Sequence, residues 1–375
     1  GMQAQIRLDG ALLESIDVTN GLRQGCCMAP VLFNLYTCIV VERWHARIEQ
    51  VEGVGVTLKF KHDGKLFRRY TRNAEETTLT ECQFADDGAL LAASRHGAER
   101  AVQEYQLVTK DFGLTVSIPK TKHMVTGREA TLEDKTPISI NGGELEAVGE
   151  FPYLGSMIAA TGRMDVDCEK RLSQASRAFG ALRKAVFMDR DLKLETKRSV
   201  YQACVLSVLL YGSECWTPVN KHLRKLDAFH HRCIRTILGI SNLQQWSQHI
   251  TTFEIRQRWG DLETATDKVA KRRLEWLGHL ARMPNHRIPK QALFGWLPQT
   301  RPRGGPRKRW RDVVRKDLKD INLNEADWYE ATTCGTTWRA IYRSGIANRQ
   351  QAQDDILKSQ ANQVECKQCL RKFRR

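Results

Sequence analysis

The pattern of apolar and polar positions divides the chain near residue 160. Before that point strands and helices alternate. The opening run from Gly1 to Gly10 alternates like a strand and arrives at Asp9-Gly10, a strong tight-turn dipeptide. Residues 1 to about 20 are therefore predicted as two strands around that turn. A loop from Asn20 to Cys27 follows, then a helix with Pro30 in its first turn, where a missing N–H costs nothing. Its run of Val31, Leu32, Leu35, Ile39 and Val40 is expected to be mostly buried. Residues 53–93 return to strand-like patterning and end in a second hairpin, with Asp87-Gly88 as its turn signal. Helical spacing of Ala101, Tyr105 and Val108 predicts a helix over 97–112, stopped at Gly113, and short strands fill roughly 114–160.

Beyond residue 160 the period changes. Leu172, Ala175, Phe179, Leu182 and Val186 step by three and four, which marks an amphipathic helix. A more apolar helix is predicted over about 192–211. A third carries Leu223, Leu226, Cys233, Ile234 and Ile237, with Gly239 placed as a C-terminal cap. From about 262 a basic helix runs through Val269, Leu274, Trp276, Leu277 and Leu280 to Pro284. Thr300–Pro306 reads as a Pro/Gly/Arg linker into Arg307-Lys308-Arg309-Trp310-Arg311 and another basic helix. No internal repeat is evident. The expected fold class is α+β, followed by an all-α domain and a helical basic C-terminal region.

Composition adds one strong bias. With 59 Lys+Arg against 43 Asp+Glu in 375 residues, the net charge is +16, an excess that attracts polyanions, nucleic acid above all. The most apolar stretch, Val205–Tyr211, is far shorter than the roughly 18 residues of a membrane span, so no membrane association is expected. Eleven cysteines in no regular framework, with no N-terminal signal peptide, read as free thiols of a reducing compartment, nuclear or cytoplasmic.

The sharpest chemistry lies in the second hairpin, Glu81-Cys82-Gln83-Phe84-Ala85-Asp86-Asp87-Gly88-Ala89-Leu90-Leu91. Two carboxylates at a tight turn suit magnesium, which takes one or two protein oxygens and leaves the rest to water and phosphate. The competing reading is an exposed turn that merely contains two Asp, a favoured turn residue. His230, His231 and Cys233 fit no common zinc spacing and are expected on a helix surface. Cys366-Lys367-Gln368-Cys369 supplies only half of a zinc finger's ligands, so zinc is not expected here; a chance pair of cysteines is the other reading. In the C-terminal region, Arg272, Arg273, Arg301, Arg303, Arg307, Lys308, Arg309 and Arg311, interleaved with Trp296 and Trp310, are candidates to neutralise phosphates and stack on unpaired bases. A solvated basic linker and a nuclear localisation signal are further readings of the same cluster.

Four segments resemble, in order, the motifs of reverse transcriptases, and their mix is most similar to the non-LTR (LINE-type) retrotransposon branch. They are Gly21–Tyr36, with Gln24-Gly25 in the loop and Ala29-Pro30 opening the helix; Phe84-Ala85-Asp86-Asp87; Gly113–Lys122; and Tyr153-Leu154-Gly155-Ser156. The resemblance implies a partial polymerase palm over 1–160, an antiparallel sheet with packed helices. A helical thumb over 161–245 and a basic helical region over 246–375, ending in a truncated CxxC, would follow. It implies an RNA-directed DNA polymerase working by two-metal nucleotidyl transfer on an RNA template, a DNA primer and deoxynucleotide triphosphates. Asp86 and Asp87 would hold the magnesium ions, two in the complete enzyme. Lys120 would assist the leaving pyrophosphate, although a plain surface lysine beside Lys122 fits as well. Gln24 and Gly25 would lie against template and nucleotide, and Tyr153, Leu154, Gly155 and Ser156 would position the primer end, Tyr153 alternatively being core packing. Ala29, Ser117 and Pro119 depart from the family's usual serine, asparagine and motif flank. Nothing before Gly21 matches the strand that carries the family's other metal-binding aspartate. The chain is thus expected to be a C-terminal portion, inactive or feeble alone. The alternative is a catalytically dead remnant that still binds nucleic acid.

Overall fold

The computed structural model describes residues 2–18, 21, 25–66, 73–126, 136–297 and 308–372, apart from the side chains of 2, 18, 354 and 357–372. It mixes helix with small sheets, in keeping with an α+β class. The chain divides into two compact units, one made of Gly1–Thr57, Thr77–His123 and Thr136–Ala147, the other of Leu58–Glu76, Met124–Lys135 and Val148–Arg375.

The first unit opens with nested hairpins. Strands β1 (Met2–Ala4), β2 (Arg7–Leu8), β3 (Ala11–Leu12) and β4 (Ile16–Val18) pair as β2 with β3 and β1 with β4, both antiparallel. Asp9 and Gly10 both have positive φ, 47° and 86°, the two-residue geometry that the Asp-Gly signal predicts. Helix α1 (Ala29–Ile48) carries Pro30 in its first turn. Its buried seam is Val40, Trp44 and Ile48, spaced by four residues so that they share one face. The expected burial of the earlier run is corrected: Val31, Leu32, Leu35 and Ile39 are 45–59% exposed, and only Val40 is buried. Val31, Leu35 and Ile39 also step by four, but on the face roughly opposite Val40, Trp44 and Ile48, and that face is left uncovered among the described residues.

Strands β5 (Val56–Phe60) and β6 (Glu75–Leu79) precede the second hairpin, β7 (Glu81–Phe84) and β8 (Asp87–Leu90). Helix α2 (Arg95–Asp111) begins at Ser94, whose hydroxyl accepts from the Gly97 amide at 3.0 Å, a standard N-cap. A Cβ at Gly97 would lie 2.1 Å from the Gly53 carbonyl oxygen, so glycine is required for this approach. Helices α1 and α2 pack together: Val40, Trp44, Ile48, Ala101 and Val108 form one core, and the Trp44 indole donates to the Ala101 carbonyl at 3.0 Å. Gly113 ends α2 with φ +70°, as its position predicts. Strands β9 (Lys122–His123), β10 (Ile138–Ile140) and β11 (Gly143–Ala147) form a sheet ordered β10-β11-β9, over a small core of Ile138, Ile140 and Leu145 with Ala98, Val102 and Ile118.

The second unit contains the hairpin β12 (Glu150–Tyr153) and β13 (Ser156–Ala159), then helices. Helix α3 (Asp165–Leu182) runs into a wide π turn at Arg183–Phe187. Helix α4 (Leu194–Val200) continues through a second, Tyr201–Leu206, into α5 (Ser207–Leu209), and α6 (Asn220–Ile237) follows. The three predicted helices are thus present, and their apolar positions meet in one core with Phe187, Tyr201, Trp216 and Trp259. Gly239 takes φ +72° after α6, as a cap should. Helices α7 (Asn242–Ser247) and α8 (Thr252–Trp259) lead to the basic helix α9 (Ala265–Arg282). The C-terminal half of α9 joins α10 (Ile288–Phe294), α11 (Trp310–Asp320), α12 (Trp328–Ala331) and the start of α13 (Gly335–Lys372) in a separate core around Leu274, Leu277, Val314, Trp328 and Trp338. Strand β14 (Gly295–Trp296) pairs with Phe60 and Lys59 of β5. The predicted 300–306 linker lies outside the described residues.

Candidate functional site

The β7–β8 register pairs Glu81 with Leu90, Cys82 with Ala89, Gln83 with Gly88 and Phe84 with Asp87. The loop is therefore Ala85-Asp86, which corrects the Asp87-Gly88 turn expected from sequence. Asp87 already pairs across the ladder, and Gly88 is an ordinary strand residue without positive φ. Ala85 adopts φ +53°, a region that costs an L-residue roughly 1–2 kcal/mol, and such strain tends to collect at functional turns. The hairpin is tied to the helical layer at its base. Gln83 Nε2 lies 3.5 Å from the Tyr105 hydroxyl of α2, the His45 ring of α1 is 2.9 Å from Glu81, and Leu90 packs on the α1–α2 core.

This framework leaves the tip open. Phe84 is 65% exposed, and Asp86 and Asp87 are exposed too. Among the described residues neither carboxylate has a cation or hydrogen-bond partner. Two adjacent carboxylates without internal neutralisation match the donor chemistry of magnesium, whose remaining positions go to water and phosphate. Among the described residues no group of three or more His, Cys, Asp or Glu could hold an ion by itself. The donor set thus fits an ion shared with a bound substrate.

The turn Ser117–Thr121 carries Lys120 and leads into Lys122 at the start of β9. The amides of Lys120 and Thr121 donate to the Ser117 carbonyl at 3.1 and 2.9 Å, and Ile118 is drawn into the small core. Lys122 is paired with Glu146 at 2.6 Å, which lowers the Glu146 carboxyl pKa. Lys120 is exposed and has no ion pair among the described residues, so it is the lysine available to a phosphate. Gly25 is exposed with φ +88° and open space where a Cβ would stand. Its conformation, rather than crowding within the chain, is what calls for glycine. Gln24 lies outside the described residues.

At the fourth motif, Tyr153 pairs with Ser156 across β12–β13, and the loop is Leu154-Gly155 with φ 45° and 83°. Two residues that sequence patterning missed hold it, Arg171 of α3 and Tyr211 after α5. Tyr211 Oη donates to the Leu154 carbonyl at 3.0 Å and Arg171 Nη2 to the Gly155 carbonyl at 2.5 Å. No spacing in the sequence marks either one, because the burial of Arg171 appears only in the folded chain.

The basic cluster is not a uniform exposed patch. Arg273 is 3% exposed and bonded to Asp317 through two nitrogens, at 2.6 and 3.2 Å, so the open guanidinium that phosphate binding requires is not found there. Arg272 donates to the Leu210 carbonyl and Arg311 to the Leu66 carbonyl at 2.9 Å, both half-buried. Trp310, expected to stack on bases, is half-buried with its indole donating to the Glu214 carbonyl at 2.7 Å, and Trp296 is half-buried in β14. Lys308 and Arg309 are exposed overall; the Lys308 ammonium donates to the Pro218 carbonyl at 2.9 Å, and partial desolvation of that end, then repulsion from Lys316, lowers its pKa. Arg301, Arg303 and Arg307 lie outside the described residues. His230 and Cys233, expected on a helix surface, are 3% and 1% exposed in the helical core. Every cysteine with a described side chain is a free thiol; the side chains of Cys366 and Cys369 lie outside that description.

With this geometry in place, residues 2–158 match the family model for reverse transcriptase, an RNA-dependent DNA polymerase. The match covers less than half of the chain but includes all four motif segments and ends within β13. For that segment it indicates an RNA-directed DNA polymerase. Beyond this class, the chain is 28% identical over 283 residues to a transposon-derived protein of Caenorhabditis elegans, covering 72% of this chain and 97% of that protein. Among the described residues no helix is long and apolar enough to cross a membrane.

Proposed function

We propose that this chain is the reverse transcriptase segment of a non-LTR, LINE-type retrotransposon protein, acting in the nucleus or cytoplasm on an RNA template, a DNA primer and deoxynucleotide triphosphates. The observation that carries the reading is the β7–β8 tip, where Asp86 and Asp87 stand exposed, with no cation partner among the described residues, on a strained turn braced by α1 and α2. The family match over residues 2–158 and the transposon-derived relative support it.

Asp86 and Asp87 would hold magnesium, which when bound lowers the pKa of an attacking hydroxyl and stabilises the departing pyrophosphate. Lys120, exposed and without an ion pair among the described residues, supplies a positive charge for the nucleotide's phosphates. The loop at Gln24 and Gly25 lies against template and incoming nucleotide, and Tyr153–Ser156 holds the primer end. Lys308 and Arg309, with Arg301, Arg303 and Arg307, contact the nucleic acid backbone. Palm, thumb and basic tail divide the chain at about residues 160 and 245.

Primer extension on an RNA template by the purified chain, beside the Asp86→Ala/Asp87→Ala variant, tests the assignment. Synthesis with magnesium is expected to be feeble and should fall to background in the double variant, since removing transition-state charge stabilisation costs on the order of a hundredfold. Equal synthesis from both would refute the role of the pair. A second reading, a chain that only binds nucleic acid, is favoured by the net charge of +16. It predicts no synthesis from either form with salt-sensitive RNA binding retained in both.

A further inference from the structure

The β12–β13 turn is held in an unusual way. Leu154, a bulky residue, occupies φ 45°, where L side chains are outliers, and Gly155 follows at 83°. Such a conformation persists only where its surroundings over-determine it. Here both loop carbonyls are captured by side chains from outside the hairpin, Leu154 by the Tyr211 hydroxyl and Gly155 by Arg171. The Arg171 guanidinium also lies 4.4 Å from the centre of the Tyr211 ring, a cation–π contact that fixes the two donors against each other. A second layer fixes Arg171 and the strand. Asp167 Oδ1 accepts from the Met157 amide at 2.9 Å and lies 3.6 Å from Arg171 Nε, while Oδ2 accepts from the Trp216 indole at 3.0 Å. Arg171 and Asp167 are 5% and 4% exposed. A buried cation thus supports a loop whose own Leu154 remains 41% exposed. For a fold-stabilising contact alone, capturing the carbonyls of a hairpin tip has little purpose, since water would satisfy them. It does fix the direction in which the tip presents its outer surface.

We propose that Arg171 and Tyr211 are positioning residues that set the Tyr153–Ser156 turn for the 3′ end of a primer, acting through the backbone and without touching the nucleic acid themselves. The inference rests on reading that turn as the primer-end site. Tyr211→Phe keeps the ring under the guanidinium and removes one hydrogen bond; Arg171→Lys keeps the charge and loses the planar fork.

The test uses the full chain with an RNA template annealed to a DNA primer ending in 4-thiothymidine, photo-cross-linked and mapped by peptide mass spectrometry. Thermal unfolding and duplex affinity are measured on the same samples. The unsubstituted chain should cross-link within residues 153–156. Tyr211→Phe should lower that yield about three- to tenfold, the scale of one net hydrogen bond, with melting temperature and duplex affinity nearly unchanged. Arg171→Lys should lower it further. Unchanged yields in both variants would overturn the positioning role and leave the primer-end reading standing. Yields that fall only in proportion to lost folding or lost duplex would overturn it as well. A duplex that binds the unsubstituted chain but never cross-links at the turn would remove the primer-end reading, and the proposal with it.

Discussion

Arg273 and Asp317 face each other inside the helical unit, and burial pushes the Asp317 carboxyl pKa up even as Arg273 draws it down. Breaking a buried pair by removing one partner is worse than replacing both, because the survivor keeps its desolvation cost without compensation. Asp317→Ala is therefore expected to cost about 3–5 kcal/mol, and Arg273→Met/Asp317→Leu to recover most of it, measured by urea unfolding. Equal stability of Asp317→Ala and the unsubstituted chain would show the pair to be solvated. The sequence displayed Arg272-Arg273 as two adjacent positive charges and could not say which was buried. That depended on Asp317, 44 positions away on a helix whose packing angle no local spacing encodes. The Asp86-Asp87 pair was legible because a tight turn forces exposure from within a few residues. Arg171 and Tyr211 were not, since the carbonyls they bind carry no sequence signature.

At the scale of elements, α6 is bolted to the π segment Tyr201–Leu206 by a buried pair, Tyr201 Oη and His230 Nδ1 at 2.8 Å. Burial, with the nearby Lys268, pushes the His230 pKa down to about 4. An unfolded chain would protonate the same ring near 6.5. Between those values the unfolded state binds the extra proton, so stability rises with pH across this window and is fully present above it. Acidifying from pH 7 to pH 4.5 should cost up to about 3 kcal/mol through this residue. His231, also shifted down by burial, adds in the same direction. Urea midpoints at the two pH values should differ much less in His230→Phe than in the unsubstituted chain; an equal difference would assign the acid sensitivity elsewhere. The elements themselves were largely readable where one period ran long enough, as in α3, α6 and α9. Errors fell where two cues competed. Asp87-Gly88 outweighed Ala85-Asp86 because glycine is the usual occupant of a positive φ, which Ala85 took instead. The two π turns have no periodic signature at all.

At the scale of the whole molecule, the change from alternating strands to helical spacing near residue 160 was visible because strand and helix periods differ nearly twofold. The path by which residues 58–76 join the later helices as part of one unit was not, since long-range pairing such as β14 with β5 leaves no local trace. Val31, Leu32, Leu35 and Ile39, with Met28 at 61% exposure, form an adhesive strip open to water, opposed only by the mutual repulsion of molecules carrying +16. Sulfate screens that repulsion and at the same time strengthens the clinging of greasy surfaces. Light scattering should therefore find the purified chain dispersed in dilute buffer and clumping as ammonium sulfate rises, with Leu32→Glu/Leu35→Glu delaying the onset. If that double change leaves the onset where it was, the clumping originates on some other face.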